Sequence, residues 1–230
     1  MPETLTLIHT SPVLTPVFAA LCKQHLPGVT IFHMVDESLI RDTIAHQKLR
    51  RLTIRRLIGM IESAEAAGAT AVMVTCSSIG PAATLAQKVF DIPVFRIDDA
   101  MAEKAVAVGR RIGVLATLRT TLDPTLALLA DKAAAADRSV EIAEGLCAKA
   151  FDAVLSGDTE THDRIVSDAL LEMASKVDVI VLAQASMARV LNNLPPGSVS
   201  IPVLSSPEPA ILQAKDVLHR RAQTHREGAA

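Results

Sequence analysis

The sequence predicts an α/β protein of two pseudo-symmetric lobes, each a parallel sheet flanked by helices, with the active site in the cleft between them. Three observations predict this. Short runs rich in Val, Ile and Leu alternate with longer helical patterns along the whole chain, the order of right-handed βαβ units. Several runs break into small polar residues, as buried parallel strands do on entering active-site loops. The second half also repeats the first. Leu5-Thr6-Leu7-Ile8-His9-Thr10 resembles Ile112-Gly113-Val114-Leu115-Ala116-Thr117. Val72-Met73-Val74-Thr75-Cys76-Ser77-Ser78 resembles Val179-Ile180-Val181-Leu182-Ala183-Gln184-Ala185-Ser186, and Asp91-Ile92-Pro93-Val94 resembles Ser200-Ile201-Pro202-Val203. The spacing between partners is nearly constant, which marks a duplication into two lobes and not a short-period solenoid.

The elements follow in order. Residues 4–10 read as a strand, and Ser11-Pro12 opens a helix to about residue 24. A strand over 29–35 ends in Asp36-Glu37-Ser38. A long helical pattern over 47–67 is stopped by Gly68. The strand 70–75, the Cys76 loop, a helix over 82–89, a strand over 92–97 and a helix over 98–108 complete the first set. In the second half a strand over 112–116 leads into a loop holding Thr117, Thr120 and Thr121, and a helix starts near Pro124. A strand near 138–142, helices over 146–155 and 159–175, strands over 178–183 and 200–204 and a helix over 207–224 follow. The tail after Arg220 is expected to fray. Residues 1–100 form the first lobe, with the Cys76 loop, and 101–230 the second, with the Thr117 and Gln184 loops. The C-terminal helix is left open to cross over.

The 230 residues suffice for a sizeable core, since half are hydrophobic. The net charge of −2 gives no nucleic-acid footprint. Arg50, Arg51, Arg55 and Arg56 read as one solvated helix face. With no Trp or Tyr there are few platforms for stacking bases. No apolar run is long enough to span a membrane, and the N-terminus reads straight into a strand. Cys22, Cys76 and Cys147 give no metal spacing and no disulfide framework, so no metal, no cofactor and a reducing, cytoplasmic setting are expected. A chain with this much apolar surface is expected to form a homo-oligomer.

Ligands of open parallel sheets bind at the carboxyl ends of the strands. Thr10, Ser11, Asp36, Cys76, Ser77, Ser78, Thr117, Thr120, Thr121, Gln184, Ala185 and Ser186 all fall just past such ends. Cys76 is the reactive candidate. A thiol at a helix N-terminus faces unpaired N–H groups that stabilise the thiolate, and these donors also hold a carboxylate or enolate oxygen. The bland alternative is a small buried hydrophobe, the reading preferred for Cys22 and Cys147. Asp36 either contacts substrate or caps the next helix, and the threonines either bind an anion or cap. His9 reads as a core histidine and His162 as an exposed one. There is no phosphate loop and no Gly-x-Ser-x-Gly elbow.

Val74-Thr75-Cys76-Ser77-Ser78, Leu182-Ala183-Gln184-Ala185-Ser186-Met187 and Gly113-Val114-Leu115-Ala116-Thr117-x-x-Thr120 together resemble the aspartate/glutamate/hydantoin racemase superfamily, over nearly the whole chain. The resemblance implies cofactor-independent proton abstraction next to a carboxylate or carbonyl, with one cysteine from each lobe on opposite sides of the carbon. It assigns Cys76 as the first-lobe cysteine. Gln184 stands where the second would be, and its amide has no useful pKa for proton transfer. Thr117, Thr120, Thr121, Ser77, Ser78, Ala185 and Ser186 match the loops that bind substrate carboxylates. The expected function is a racemase- or isomerase-type enzyme acting on a small carboxylate by thiol chemistry. The alternatives are a single-cysteine decarboxylase or cis–trans isomerase of the same family, or a non-catalytic small-carboxylate binder.

Overall fold

Strands form where Val, Ile, Leu and Ala run uninterrupted, because a parallel strand is covered on both faces. The computed structural model describes residues 3–195 and 197–227. In the first part of the chain lie β1 (Thr4–His9), α1 (Thr15–His25), β2 (Thr30–Val35), α2 (Glu37–His46), α3 (Arg51–Ala66), β3 (Ala71–Val74), α4 (Gly80–Ala86) and β4 (Val94–Arg96). Then come α5 (Asp99–Val108), β5 (Arg111–Ala116), α6 (Arg119–Ala135), β6 (Glu141–Leu146), α7 (Ala148–Leu155), α8 (Thr159–Ala174), β7 (Val179–Leu182), α9 (Val190–Asn193), β8 (Val203–Ser205) and α10 (Pro207–Glu227). The fraying predicted after Arg220 gives way to helix as far as Glu227, and residues 228–230 lie outside the described residues.

Two four-stranded sheets result, ordered β2-β1-β3-β4 and β6-β5-β7-β8, with every pairing parallel. The order is the same in both once β1 is matched to β5. The repeat extends to single hydrogen bonds at the strand ends. Asp36 N–H donates to the His9 carbonyl at 3.0 Å, and Cys147 N–H to the Ala116 carbonyl at 2.7 Å. Thr75 N–H donates to Ile8 at 3.0 Å, and Ala183 N–H to Leu115 at 2.9 Å. By contact the chain divides into two compact units. Asp98–Ser206 forms one, and the chain before it together with α10 forms the other. In the first unit α10 packs on α1 and β4.

Each sheet buries its faces by alternation. In the second unit Ile112, Val114, Val179 and Val181 face the side of α5 and α6, among Met101, Ala105, Leu122 and Leu129. Leu115, Ile180 and Leu182 face the other side, among Val166, Leu170 and Val190 of α8 and α9. In the first unit Ile8, Val72 and Val74 pack against Leu39, Leu57 and Ile61. The helix α3 is shaped for this, since Thr53, Leu57, Ile61 and Ala64 form one buried stripe at helical spacing.

Some boundaries differ from the expected ones. The pattern over 47–67 is not one helix from residue 47. The chain makes a left-handed turn at Gln47 (φ 52°) between α2 and α3. Asp42 staples the junction, taking hydrogen bonds from the Arg50 guanidinium and, at 2.5 Å, from the Thr53 hydroxyl. These bonds hold its carboxyl down at about 2. The arginine run is thus only partly a solvated face, since Arg50 pairs with Asp42 and Arg56 with Asp36. The helix expected near Pro124 begins at Arg119, with Pro124 inside it. The strand expected near 138–142 is Glu141–Leu146.

His9 is fully buried, as expected of a core histidine. Burial first, and the neighbouring His33 second, lower its pKa from 6.5 to about 4. The fold thus favours neutral imidazole, whereas the unfolded chain takes up a proton near 6.5. The stabilisation is complete above that value and is lost as the pH falls toward 4, amounting to on the order of 2–3 kcal/mol. Urea unfolding from pH 7 down to pH 4 should show that loss. Asp42 and Asp178, both held at about 2, titrate below this window, whereas His33, also lowered by burial, adds to the loss within it. A flat profile between pH 6.5 and 4 would contradict the assignment.

Candidate active site

In the first unit the candidate residues gather where β1 and β3, neighbours in the sheet, end side by side. Thr10 follows β1 directly and is buried. Ser11 is the extended residue before a 3-10 turn at Pro12–Leu14, partly exposed, with no capping bond from its side chain. Cys76 lies two residues past β3, in extended backbone, and heads a 3-10 turn over Ser77–Ile79 that runs into α4. It is the only one of the three cysteines not classed as buried.

Burial pushes the Cys76 thiol above its ordinary range. Four donors pull the other way: the Thr10 hydroxyl, the N–H groups of Ser78 and Ile79, and the Ser78 hydroxyl. These groups favour thiolate, but the net stabilisation of thiolate expected at a helix N-terminus is not reached. Desolvation still outweighs them, so the thiol is a scarcer but stronger base. Ser77 is buried beside it.

Asp36, at the end of β2, is occupied within the fold. One carboxylate oxygen accepts from Ser38 N–H at 3.0 Å and from the Ser38 hydroxyl at 2.6 Å, which caps α2. The other accepts from Arg56 at 2.5 Å.

Behind the thiol loop, Gly80 leaves no room for a side chain. A Cβ there would lie 2.7–2.8 Å from the Arg96 guanidinium. Arg96 is 5% exposed and donates to the Thr84 hydroxyl at 3.2 Å, so its charged end has little freedom to withdraw. Gly80→Ala is expected to cost ~1–3 kcal/mol by overpacking. It should lower the melting temperature by several degrees. An unchanged melting curve would show that Arg96 yields.

In the second unit the equivalent ends are those of β5 and β7. Gln184, opposite number of Cys76, heads a 3-10 turn over Ala185–Arg189 with the same extended backbone. Its Oε1 accepts from Thr117 N–H at 2.5 Å and from the Thr117 hydroxyl at 2.9 Å. The backbone donor fixes which way the amide faces. Oxygen must point at Thr117, which leaves the Nε2 group as a donor only. Thr10 with Cys76 and Thr117 with Gln184 are thus corresponding pairs. Thr120 and Thr121, expected in a loop, stand in the first turn of α6, both buried. The Thr120 hydroxyl is buried with no partner among the described residues. Of the remaining candidates, Ala185 is partly buried and Ser186 exposed.

Two further positions correct the expectation. Cys147 does stand at a strand end, one residue past β6 and opposite number of Asp36. Its side chain is nevertheless 7% exposed and packed with Leu115, Ala150 and Val166, where burial pushes the thiol up. His162, expected to be exposed, is 2% exposed. It continues the buried stripe of Val166, Leu170 and Met173 on α8. Its Nδ1 lies 2.7 Å from Asp163, which also accepts from Arg189 at 3.0 Å and Asn193 at 3.2 Å. The spacing of that stripe was readable; the tether to the turn after Gln184 was not.

Among the described residues no group of three or more His, Cys, Asp or Glu could hold a metal ion, and no helix is long and apolar enough to cross a membrane.

The chain belongs to the Asp/Glu/hydantoin racemase family, whose sequence model matches residues 8–214. No protein of curated function matches the sequence. Solved structures share the fold at low identity. Glutamate racemase isoform RacE1 from Bacillus anthracis is 16% identical with a TM-score of 0.72, covering 95% of this chain and 82% of its own. Aspartate racemase from Picrophilus torridus is 15% identical with a TM-score of 0.68, covering 93% of this chain and 94% of its own. Allantoin racemase from Klebsiella pneumoniae is 16% identical with a TM-score of 0.65, covering 96% and 89%.

Proposed function

We propose that this protein is a cofactor-independent enzyme that activates the carbon beside a small carboxylate, with Cys76 as its single acid/base group, so that proton exchange with solvent and not racemisation is its expected proton chemistry. The observation that carries the proposal is the place of Cys76 at the end of β3, heading the turn into α4, with Thr10, Ser78 and Ile79 supplying groups that favour its thiolate. As thiolate, Cys76 takes the proton from the carbon beside the substrate carboxylate, and the electron pair passes into an enediolate. Returning the proton from the same sulfur restores the acid. The second half offers donors only. Within the second unit the Gln184 amide, the Thr120 hydroxyl and the N-terminal turn of α6 are donors of the kind that suit a carboxylate oxygen. Gln184 in place of a second thiol makes the proton chemistry one-sided.

That same asymmetry supports a second reading. A single thiol suffices to protonate the carbanion left by decarboxylation, or to add to a double bond and leave again after rotation. Proton NMR in D₂O separates these. The panel is amino acids, hydantoins, 2-hydroxy acids, maleate and aryl or alkyl malonates. Loss of the α-proton signal with retained configuration is the expected result for one-sided exchange. Loss of CO₂ from a malonate, or conversion of maleate to fumarate, selects the second reading. No reaction, with thermal stabilisation by a member of the panel, would leave a binding protein.

A further inference from the structure

We propose that His9 is a positioning residue for the thiol site: its imidazole bridges β2 and β3 and fixes the strand ends from which Thr10 and Cys76 emerge. The bridge is specific. His9 Nε2 lies 2.9 Å from His33 Nδ1 on β2, and His9 Nδ1 lies 2.8 Å from the Thr75 hydroxyl just past β3. The Thr75 hydroxyl also reaches the Ile8 carbonyl at 3.1 Å. The backbone carbonyl of His9 accepts the Asp36 N–H. One residue thereby ties together three neighbouring strand ends, and the next residue along β1 is Thr10 and along β3 is Cys76.

The surroundings leave the ring no alternative position. His9 is fully buried, its ring lies 5.6 Å from that of Phe18 on α1, and the His33 ring lies 5.2 Å away at an interplanar angle of 19°. One proton per contact satisfies the whole chain. With the Thr75 hydroxyl donating to Ile8, His9 Nδ1–H donates to Thr75 and His33 Nδ1–H donates to His9 Nε2. A hydrogen-bonded chain whose His9 and Thr75 members are buried rigidifies what it touches. Here it touches the residues next to the Thr10 hydroxyl and the Cys76 loop, which supply the groups that favour the thiolate.

The inference rests on Cys76 being the reactive group only for its importance, and its test needs no substrate. The rate of Cys76 alkylation by iodoacetamide is followed against pH in the intact protein, by mass spectrometry of the peptide that carries it. Thr75→Ser keeps the hydroxyl and should leave the profile as in the wild type. Thr75→Val keeps the shape and removes the bridge. Loosening the loop lets water reach a thiol that burial had pushed up, so the midpoint should move down toward an ordinary thiol. Alkylation at a fixed pH below the midpoint should become several-fold faster, up to ~10-fold for a shift of one pH unit. His9→Leu should shift it the same way. Urea unfolding of each variant reports stability separately. A folded Thr75→Val variant with the wild-type profile, or a Thr75→Ser variant that shifts as far as Thr75→Val, would overturn the proposal. A lack of turnover on any carboxylate would overturn the functional reading and leave this one standing.

Discussion

Replacing Cys76 with serine is expected to lower turnover by ~10²–10⁴-fold while KM changes little. The serine hydroxyl fits the same groups, Thr10, Ser78 and Ile79, so the loop and the substrate contacts survive. What is lost is a group that ionises within reach of neutral pH. The pH profile makes the attribution sharper. Because burial raises the Cys76 thiol, kcat/KM of the wild type should climb through and beyond the ordinary thiol range as the thiolate forms. The serine variant should show no such limb. Cys22→Ala and Cys147→Ala are the controls. Cys22 is buried in α1 with its thiol pushed up to about 11, and Cys147 is buried in the second unit, so neither should matter to the profile. Steady-state kinetics of the three variants on the substrate found in D₂O decides the matter. A Cys76→Ser variant with near wild-type turnover would remove thiol chemistry from the account.

The strand ends were legible in the sequence because they combine two signals that do not depend on tertiary detail. A short apolar run rich in Val and Ile reads as a covered strand, and the small polar residues after it as the loop beyond. That put Thr10, Cys76, Thr117 and Gln184 just past strand ends, where they stand, and the internal repeat paired them. The roles within the loops were less legible, since they depend on which partner a side chain meets. Asp36 reads the same in sequence whether it binds substrate or caps α2, and the Arg56 contact that occupies it comes from another helix. His9 reads only as a core residue, because its partners His33 and Thr75 come from two other strands. Cys147 was misplaced because β6 begins three residues later than expected, which carries its end to Leu146. Its neighbours Ala143 and Glu144 are exposed, so the edge strand lacks the apolar run that marks the others.

Gln184→Cys is expected to change the stereochemical outcome, the property that separates this chain from a two-thiol member of its family. In the native protein the amide oxygen is held by Thr117 N–H and hydroxyl, and the Nε2 group can donate hydrogen bonds but not move protons near neutrality. On the proposed single-thiol chemistry, exchange should return the proton from the side it left, with configuration retained. A cysteine at 184 gives each half one thiol at the same strand end, past β3 and past β7, the pattern that the family resemblance implies for two-base racemisation. Its sulfur also lies within the reach of Thr117, the counterpart of the Thr10 hydroxyl beside Cys76. Incubation of one enantiomer in D₂O should then yield deuterated product of both configurations. Gln184→Leu is the companion variant. It removes the donor without supplying a thiol, so it should raise KM ~10- to 100-fold, the 1–3 kcal/mol lost when a charged partner is left unpaired, and keep retention. Chiral chromatography with mass detection reads both. A folded Gln184→Cys variant that still exchanges through Cys76 and still gives one enantiomer would mean that position 184 does not face the reacting carbon, and the one-sidedness of the native chemistry would then need a cause other than the missing thiol.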